Sequence, residues 1–253
     1  MKVSGVESTS QTGLLVDYEV EDYGETASFY LPDNQILSNQ IDDRRGRSGM
    51  PKEYVYKTGK SFEWSLYDED VELQKRIVNA FVTRFDDFRK QGRGLYIVSK
   101  TKGSGKTLLA CCIANEILKH HDISVKFISM AEYIELVRDR SEEKVEKINS
   151  LLEASLLIVD DIGEQAEDKD WISSAIFRLV NRRYENLLPT IYTSNVPIEQ
   201  LKCDPRAVSR IYEVSIKLVM PENSIRRKKA DEQNATFLRS VLGQEESQEK
   251  PIF

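Results

Sequence analysis

Gly103-Ser104-Gly105-Lys106-Thr107 stands between an apolar run, Leu95-Tyr96-Ile97-Val98, and the stretch Leu108-Leu109-Ala110-Cys111-Cys112-Ile113-Ala114. Strand, glycine-rich turn, Gly-Lys-Thr and helix is the order of a phosphate-binding loop. Backbone N–H groups of the turn and the helix start face the phosphates, and the lysine reaches the terminal ones. The candidate nucleotide-binding residues are Thr101, Lys102, Gly103, Ser104, Gly105, Lys106, Thr107 and Leu108. One position departs from the usual Gly-x-x-x-x-Gly-Lys-Ser/Thr spacing, with Lys100 where the first glycine is expected. That glycine serves turn geometry, not charge, and the Gly-Lys-Thr end is intact.

Chemistry on a bound phosphate needs a cation and a placed water. Leu156-Leu157-Ile158-Val159 ends in Asp160-Asp161. Mg²⁺ takes oxygen ligands and few protein groups, so the Thr107 hydroxyl and Asp160, directly or through water, form a candidate Mg²⁺ site. Asp161 then orients or deprotonates the attacking water. Thr193-Ser194-Asn195 ends the next apolar strand, and the Asn195 amide there can hold the water or the γ-phosphate. Two downstream arginines, Arg210 and Arg226, complete the set. An arginine donated across a subunit interface stabilises transition-state charge by roughly 10³–10⁵ in rate.

The elements that must position these residues alternate between strand and helix. Helical periodicity runs from Asp68 to about Arg93 and from Lys106 to about His120. Strands are expected at Leu95–Ser99, Ser124–Ser129, Leu156–Val159, Pro189–Ser194 and Val214–Val219. Helices are expected at about 130–139, 142–153, Trp171–Asn186 and 205–212. Continuous apolar strands between helices predict a parallel sheet covered on both faces. Residues 1–43 carry nine acids against a single basic residue, Lys2, and read as a hairpin (Leu14–Val20, Thr26–Leu31, turn at Asp22–Glu25) or as an acidic arm. Arg44–Gly49 reads as a linker. After Pro221 come a basic run, Arg226–Lys229, a helix at Ala235–Leu242 and a polar, disordered end from Gln244.

Composition bounds the rest. The 253 residues are 40% hydrophobic and 31% charged, enough for one large α/β domain with small appendages. No apolar run approaches the roughly 20 residues of a membrane span, and the first residues lack the apolar core of a signal peptide; a cytoplasmic protein without membrane contact is expected. Three cysteines without a Cys-x-x-Cys pair, and adjacent His120-His121, do not make a four-ligand zinc site. The net charge of −6 excludes bulk electrostatic binding of nucleic acid, so DNA contact must use local basic residues.

Taken together, these stretches resemble the AAA+ helicase loaders of the DnaC/DnaI type and the related IstB transposition ATPases. The resemblance rests on Ser48-Gly49-Met50-Pro51, Gly103–Thr107, Leu157–Gly163 and Asn181-Arg182-Arg183-Tyr184-Glu185. It continues through Pro189–Asn195, Ser209-Arg210-Ile211 and Ser224-Ile225-Arg226. It implies an AAA+ P-loop NTPase: a central parallel five-stranded sheet flanked by helices, a minimal C-terminal lid and a small N-terminal extension. The implied division is 1–47, an acidic extension for partner binding; 48–230, the ATPase domain; and 231–253, a short helix and disordered tail. By resemblance, Lys106 and Thr107 match Walker A, Asp160 and Asp161 Walker B, Asn195 sensor 1, Arg226 sensor 2 and Arg210 the trans-acting arginine finger, with Arg206 the alternative finger. Asp161 stands where many AAA+ proteins use Glu; one methylene shorter, it implies slow hydrolysis.

The implied function is ATP-dependent loading of a DnaB-type hexameric replicative helicase onto single-stranded DNA, with ATP and Mg²⁺ as cofactors and head-to-tail self-association. Lys126 and Arg182 or Arg183 are the candidate DNA contacts. Alternatives are an IstB-like transposition helper acting on duplex DNA and a nucleotide-binding adaptor with little hydrolysis.

Overall fold

The computed structural model describes residues 2–9, 13–20, 25–32, 34–138, 141–163 and 170–245. The turn residues Asp22–Gly24 and the polar end beyond 245 lie outside the described residues. The chain divides into two compact units, Met1–Arg47 and Ser48–Phe253.

The first unit holds three antiparallel strands in the order β1 (Lys2–Thr9), β2 (Gly13–Val20), β3 (Glu25–Pro32), followed by helix α1 (Asn34–Gly46). The strands β2 and β3 pair from Gly13 opposite Pro32 to Val20 opposite Glu25. Strand β1 was not foreseen. Nor is Arg44–Gly46 a linker: it is the last turn of α1, where Arg45 donates to Asp42 at 2.9 Å. Such a pair one turn apart favours helix over coil.

The second unit is a five-stranded sheet. Helices α2 (Glu72–Thr83) and α3 (Phe85–Lys90) precede strand β4 (Gly94–Val98) and helix α4 (Lys106–His120). Then come β5 (Val125–Ser129), α5 (Met130–Arg138), α6 (Glu142–Glu153) and β6 (Leu156–Asp160). Helix α7 (Asp170–Glu185), β7 (Thr190–Ser194), α8 (Pro205–Val214), β8 (Ser215–Val219) and α9 (Ile225–Glu245) complete it. The strand order is β5-β6-β7-β4-β8, and every pairing is parallel.

The central strands β4, β6 and β7 are buried throughout, and successive residues feed opposite layers. Leu95, Ile97, Leu156 and Ile158 pack with α2, α3 and α4, while Tyr96, Val98, Leu157 and Val159 pack with α5, α7 and α8. Helices on both faces explain why these strands read as unbroken apolar runs. No helix among the described residues is long and apolar enough to cross a membrane.

Two helices differ from the periodicity. The Asp68–Arg93 stretch is two helices, because Arg84 leaves helical geometry at φ −119°, ψ 31°. The break sets Phe81 edge-on to both Phe85 (5.7 Å) and the half-buried Phe88 (4.9 Å), making one aromatic cluster. At the other end, α9 starts ten residues before the expected Ala235. Its first turns are docked: Ile225 is buried, Lys228 donates to Asp68 at 2.8 Å and Lys229 to Glu63 at 2.7 Å. Within the basic run, Lys228 and Lys229 are thus docked, while Arg226 and Arg227 stay exposed.

Candidate nucleotide site

The C-terminal ends of β4, β6 and β7 lie side by side, where open parallel sheets carry their ligands. Beyond β4 the chain turns through Gly103 and Gly105, whose φ angles are 80° and 88°. Both need glycine. A Cβ on Gly103 would stand 2.9 Å from the Ser224 hydroxyl, and one on Gly105 3.0 Å from Ile225. Lys100 is not among the positive-φ residues, so the position lacking the expected glycine adopts a backbone any residue tolerates.

Lys106 is 5% exposed, and its ammonium donates to the carbonyls of Ser99 (3.2 Å) and Thr101 (3.1 Å) and to the Ser104 hydroxyl (3.3 Å). These bonds park the lysine against its own loop. The Tyr67 hydroxyl donates to the Ser104 carbonyl at 2.6 Å, and Phe62 and Tyr67 back Gly105. Asn115 on α4 ties the chain before Phe62 into place through the carbonyls of Tyr54 and Lys57.

Asp160 is 8% exposed. Burial, reinforced by the neighbouring Asp161 charge, raises its carboxyl to about 6, although the Thr193 and Thr107 hydroxyls and the Lys106 ammonium oppose the rise. Asp161 sits in the left-handed region at φ 55°, unusual for a non-glycine residue. Its N–H donates to the Thr193 hydroxyl at 2.9 Å, and the Ser194 hydroxyl donates to the Ile162 carbonyl at 2.6 Å. Strand β7 therefore braces the turn that carries both acids.

A cavity of about 420 Å³ opens over the loop, within the usual range of small-molecule sites. Its floor is Lys102 to Leu108, and Asp161 and Asn195 face it from the sheet. One wall comes from the segment Glu53–Ser61, the other from α9 through Ile225, Arg226, Lys229 and Gln233. The Arg226 N–H donates to the Gly103 carbonyl at 3.1 Å.

The structure thus gathers Lys102 to Leu108, Asp161, Asn195 and Arg226 around one cavity, with Asp160 just behind Thr107. Thr101 stands behind the loop, its carbonyl on Lys106. Thr107 and Asp160 offer a hydroxyl and a carboxylate close together, an oxygen donor set that fits Mg²⁺. Arg210 and Arg206 do not line the cavity. Arg210 lies over the rings of Phe177 (4.9 Å) and Tyr184 (5.4 Å) on α7. Arg206 lies over Phe177 at 4.1 Å and makes a two-pronged pair with Asp204.

One candidate DNA contact is overturned. Arg183 is 1% exposed, and its guanidinium donates to the carbonyls of Leu151, Leu152, Ala154 and Pro189 and to the Thr190 hydroxyl. It joins the end of α6 to the start of β7 and has no face left for a phosphate. Helix phase marks it: Ile172, Ile176, Leu179 and Arg183 share one buried stripe. Arg182 is exposed and Lys126 half-buried. Sequence reasoning missed Tyr67, the Glu53–Ser61 wall, the double role of Thr193, and Glu222, whose carboxylate accepts the Lys100 and Thr101 N–H groups at 3.0 and 2.7 Å. No local motif announces them.

The model of the IstB-like ATP binding protein family matches residues 38–229. The replicative helicase loader DnaI of Bacillus subtilis is 29% identical over 128 residues, 49% of this chain and 40% of that protein. The replicative helicase loader DnaC of Escherichia coli K12 is 33% identical over 112 residues, 42% of this chain and 44% of that protein. The matched stretches thus cover less than half of these relatives. A crystal structure of the DnaC helicase loader aligns with a TM-score of 0.56 at 25% identity, covering 68% of this chain and all of that one.

Proposed function

The chain belongs to the family of IstB-like ATP binding proteins, and from that membership we propose that it loads a DnaB-type replicative helicase onto single-stranded DNA under the control of ATP. The observation that carries the reading is the cavity itself. Lys106, Thr107, Asp161, Asn195 and Arg226 meet in it, while Arg210 stands outside on α8. Such a site binds ATP within one subunit and lacks its own finger.

In this reading ATP draws the Lys106 ammonium from the Ser99 and Thr101 carbonyls onto its terminal phosphates. Thr107 and Asp160 hold Mg²⁺, which when bound neutralises charge building on the phosphates. Asp161 and Asn195 align the attacking water, and Arg226 senses the γ-phosphate from α9. Arg210 of a head-to-tail neighbour completes the charge stabilisation. Residues 1–47 engage the helicase. Arg182 and Lys126 contact single-stranded DNA.

Helicase loading on a single-stranded circle tests this, with the Lys106→Ala variant as control. The expected result is loading by wild type with ATP and little by the variant. Equal loading by both would sink the ATP switch. The family model also supports a second reading, a transposition helper; capture of a transposase, with preference for duplex over single strands, favours that one. Tight ATP binding without phosphate release, with helicase and single-stranded DNA present, favours the adaptor.

A further inference from the structure

Glu222 lies in the short connection between β8 and α9, remote in sequence from the phosphate loop, and it is exposed. Its carboxylate nonetheless accepts the backbone N–H of Lys100 at 3.0 Å, the N–H of Thr101 at 2.7 Å and the Ser99 hydroxyl at 3.1 Å. Its own carbonyl accepts the Thr101 hydroxyl at 3.1 Å. Neither Lys100, Thr101 nor Glu222 lines the cavity, so the carboxylate takes none of the N–H groups open to a phosphate.

The Lys100 N–H and the Ser99 carbonyl belong to one peptide group. Glu222 holds its hydrogen and Lys106 its oxygen. The carboxylate therefore fixes the orientation of the peptide from which the Ser99 carbonyl meets Lys106. Three residues after Glu222, α9 begins, and the Arg226 N–H grips the loop again at the Gly103 carbonyl, 3.1 Å away.

We propose that Glu222 is a positioning residue for the phosphate loop, clamping its first half from outside the cavity and tying the resting place of Lys106 to the start of α9. The clamp does the work that the first glycine of the motif does elsewhere: it fixes the loop's entry turn. The proposal rests on the reading of the cavity as an ATP site. It predicts a sign. An exposed acid that merely repelled phosphate would, on removal, tighten nucleotide binding; a clamp on removal weakens it.

The test uses the full chain carrying Glu222→Gln, Glu222→Asp or Glu222→Ala. Amide hydrogen exchange without nucleotide comes first. The Lys100 and Thr101 amides are expected to exchange roughly tenfold faster in the alanine variant, and unchanged exchange overturns the clamp. Titration with a fluorescent ATP analogue follows. ATP affinity is expected to fall roughly three- to tenfold with alanine and less with glutamine, because water competes at an exposed carboxylate. In hydrolysis, KM rises while kcat stays within about twofold. Affinity equal to or tighter than wild type overturns the proposal. A melting temperature unchanged in Glu222→Gln separates the effect from misfolding. Failure of wild type to bind the analogue would refute the ATP site instead, while the exchange comparison still decides the clamp.

Discussion

The Thr193 hydroxyl donates to the Asp160 carboxylate at 2.5 Å and accepts the Asp161 N–H at 2.9 Å, so one β7 side chain sets both acids at the end of β6. The arrangement has a pH signature. The Asp160 carboxyl titrates near 6 in the fold, against 3.8 when unperturbed, chiefly through burial. Between those values the folded chain binds more protons than the unfolded one. The contribution of Asp160 to stability is therefore most favourable below about pH 4, falls as pH rises toward 6, and stays low above.

Asp160→Asn removes that cost. The nucleotide-free variant is expected to be more stable than wild type at pH 7.5 by on the order of 2 kcal/mol, with no gain at pH 4. Binding runs the other way, since a cation needs the carboxylate: Mg²⁺-dependent ATP affinity of wild type is expected to weaken below about pH 6. Thr193→Val should move that midpoint upward. Denaturant melts and ATP titrations across pH 4–8 check both, and stability curves that run parallel for wild type and Asp160→Asn contradict the assignment.

Arg183 makes a different prediction from its neighbour. Five partners receive its guanidinium, and replacing it deprives the Leu151, Leu152 and Ala154 carbonyls at the end of α6 of their donor, while Pro189 keeps only the Leu157 N–H. Arg183→Met, or Arg183→Lys with its single point of charge, is expected to cost about 3–5 kcal/mol in urea unfolding. Arg182→Ala, on the exposed face, should cost under about 0.5 kcal/mol and lower affinity for single-stranded DNA several-fold. Equal stability losses at the two positions would refute the distinction.

The contrast marks what the sequence could tell. Gly103–Thr107, Asp160-Asp161 and Asn195 were legible because each follows an apolar strand, and parallel strands deliver their C-terminal ends to one edge. The sheet was legible for the same reason. Glu222 was not: its contacts with the loop span 121 to 123 residues, and an acid in a polar connection has no period to betray it. Tyr67 reaches Ser104 across 37 residues. The start of α9 was hidden because ion pairs to Glu63 and Asp68, not an apolar stripe, hold its first turns.

Lys100 is where the motif is irregular, and the backbone says the irregularity is harmless. Its φ is not positive, and its N–H is already bonded to Glu222. Restoring the motif with Lys100→Gly should therefore bring no gain. ATP affinity is expected to stay within about twofold of wild type, while the melt shows a loss of about 0.5–1 kcal/mol from the added freedom of the unfolded chain. A several-fold tighter site in the glycine variant would mean that the loop backbone limits binding.

Arg210 supports the sharpest statement about assembly. Its guanidinium rests on Phe177 and Tyr184, and it does not line its own subunit's cavity. If it acts on a neighbour, Arg210→Ala binds ATP as wild type does yet hydrolyses it at least about 10³-fold more slowly. Lys106→Ala fails for the opposite reason, lacking the loop lysine. Mixing the two inactive chains should then restore activity, because some interfaces join an intact loop from one chain to an intact finger from the other. Arg206, already paired with both oxygens of Asp204, should not substitute: Arg206→Ala mixed with Lys106→Ala serves as the comparison. Phosphate release is the readout. A mixture no more active than its parts would place the finger elsewhere, and rescue through Arg206→Ala alone, with Arg210→Ala fully active by itself, would hand the role to Arg206.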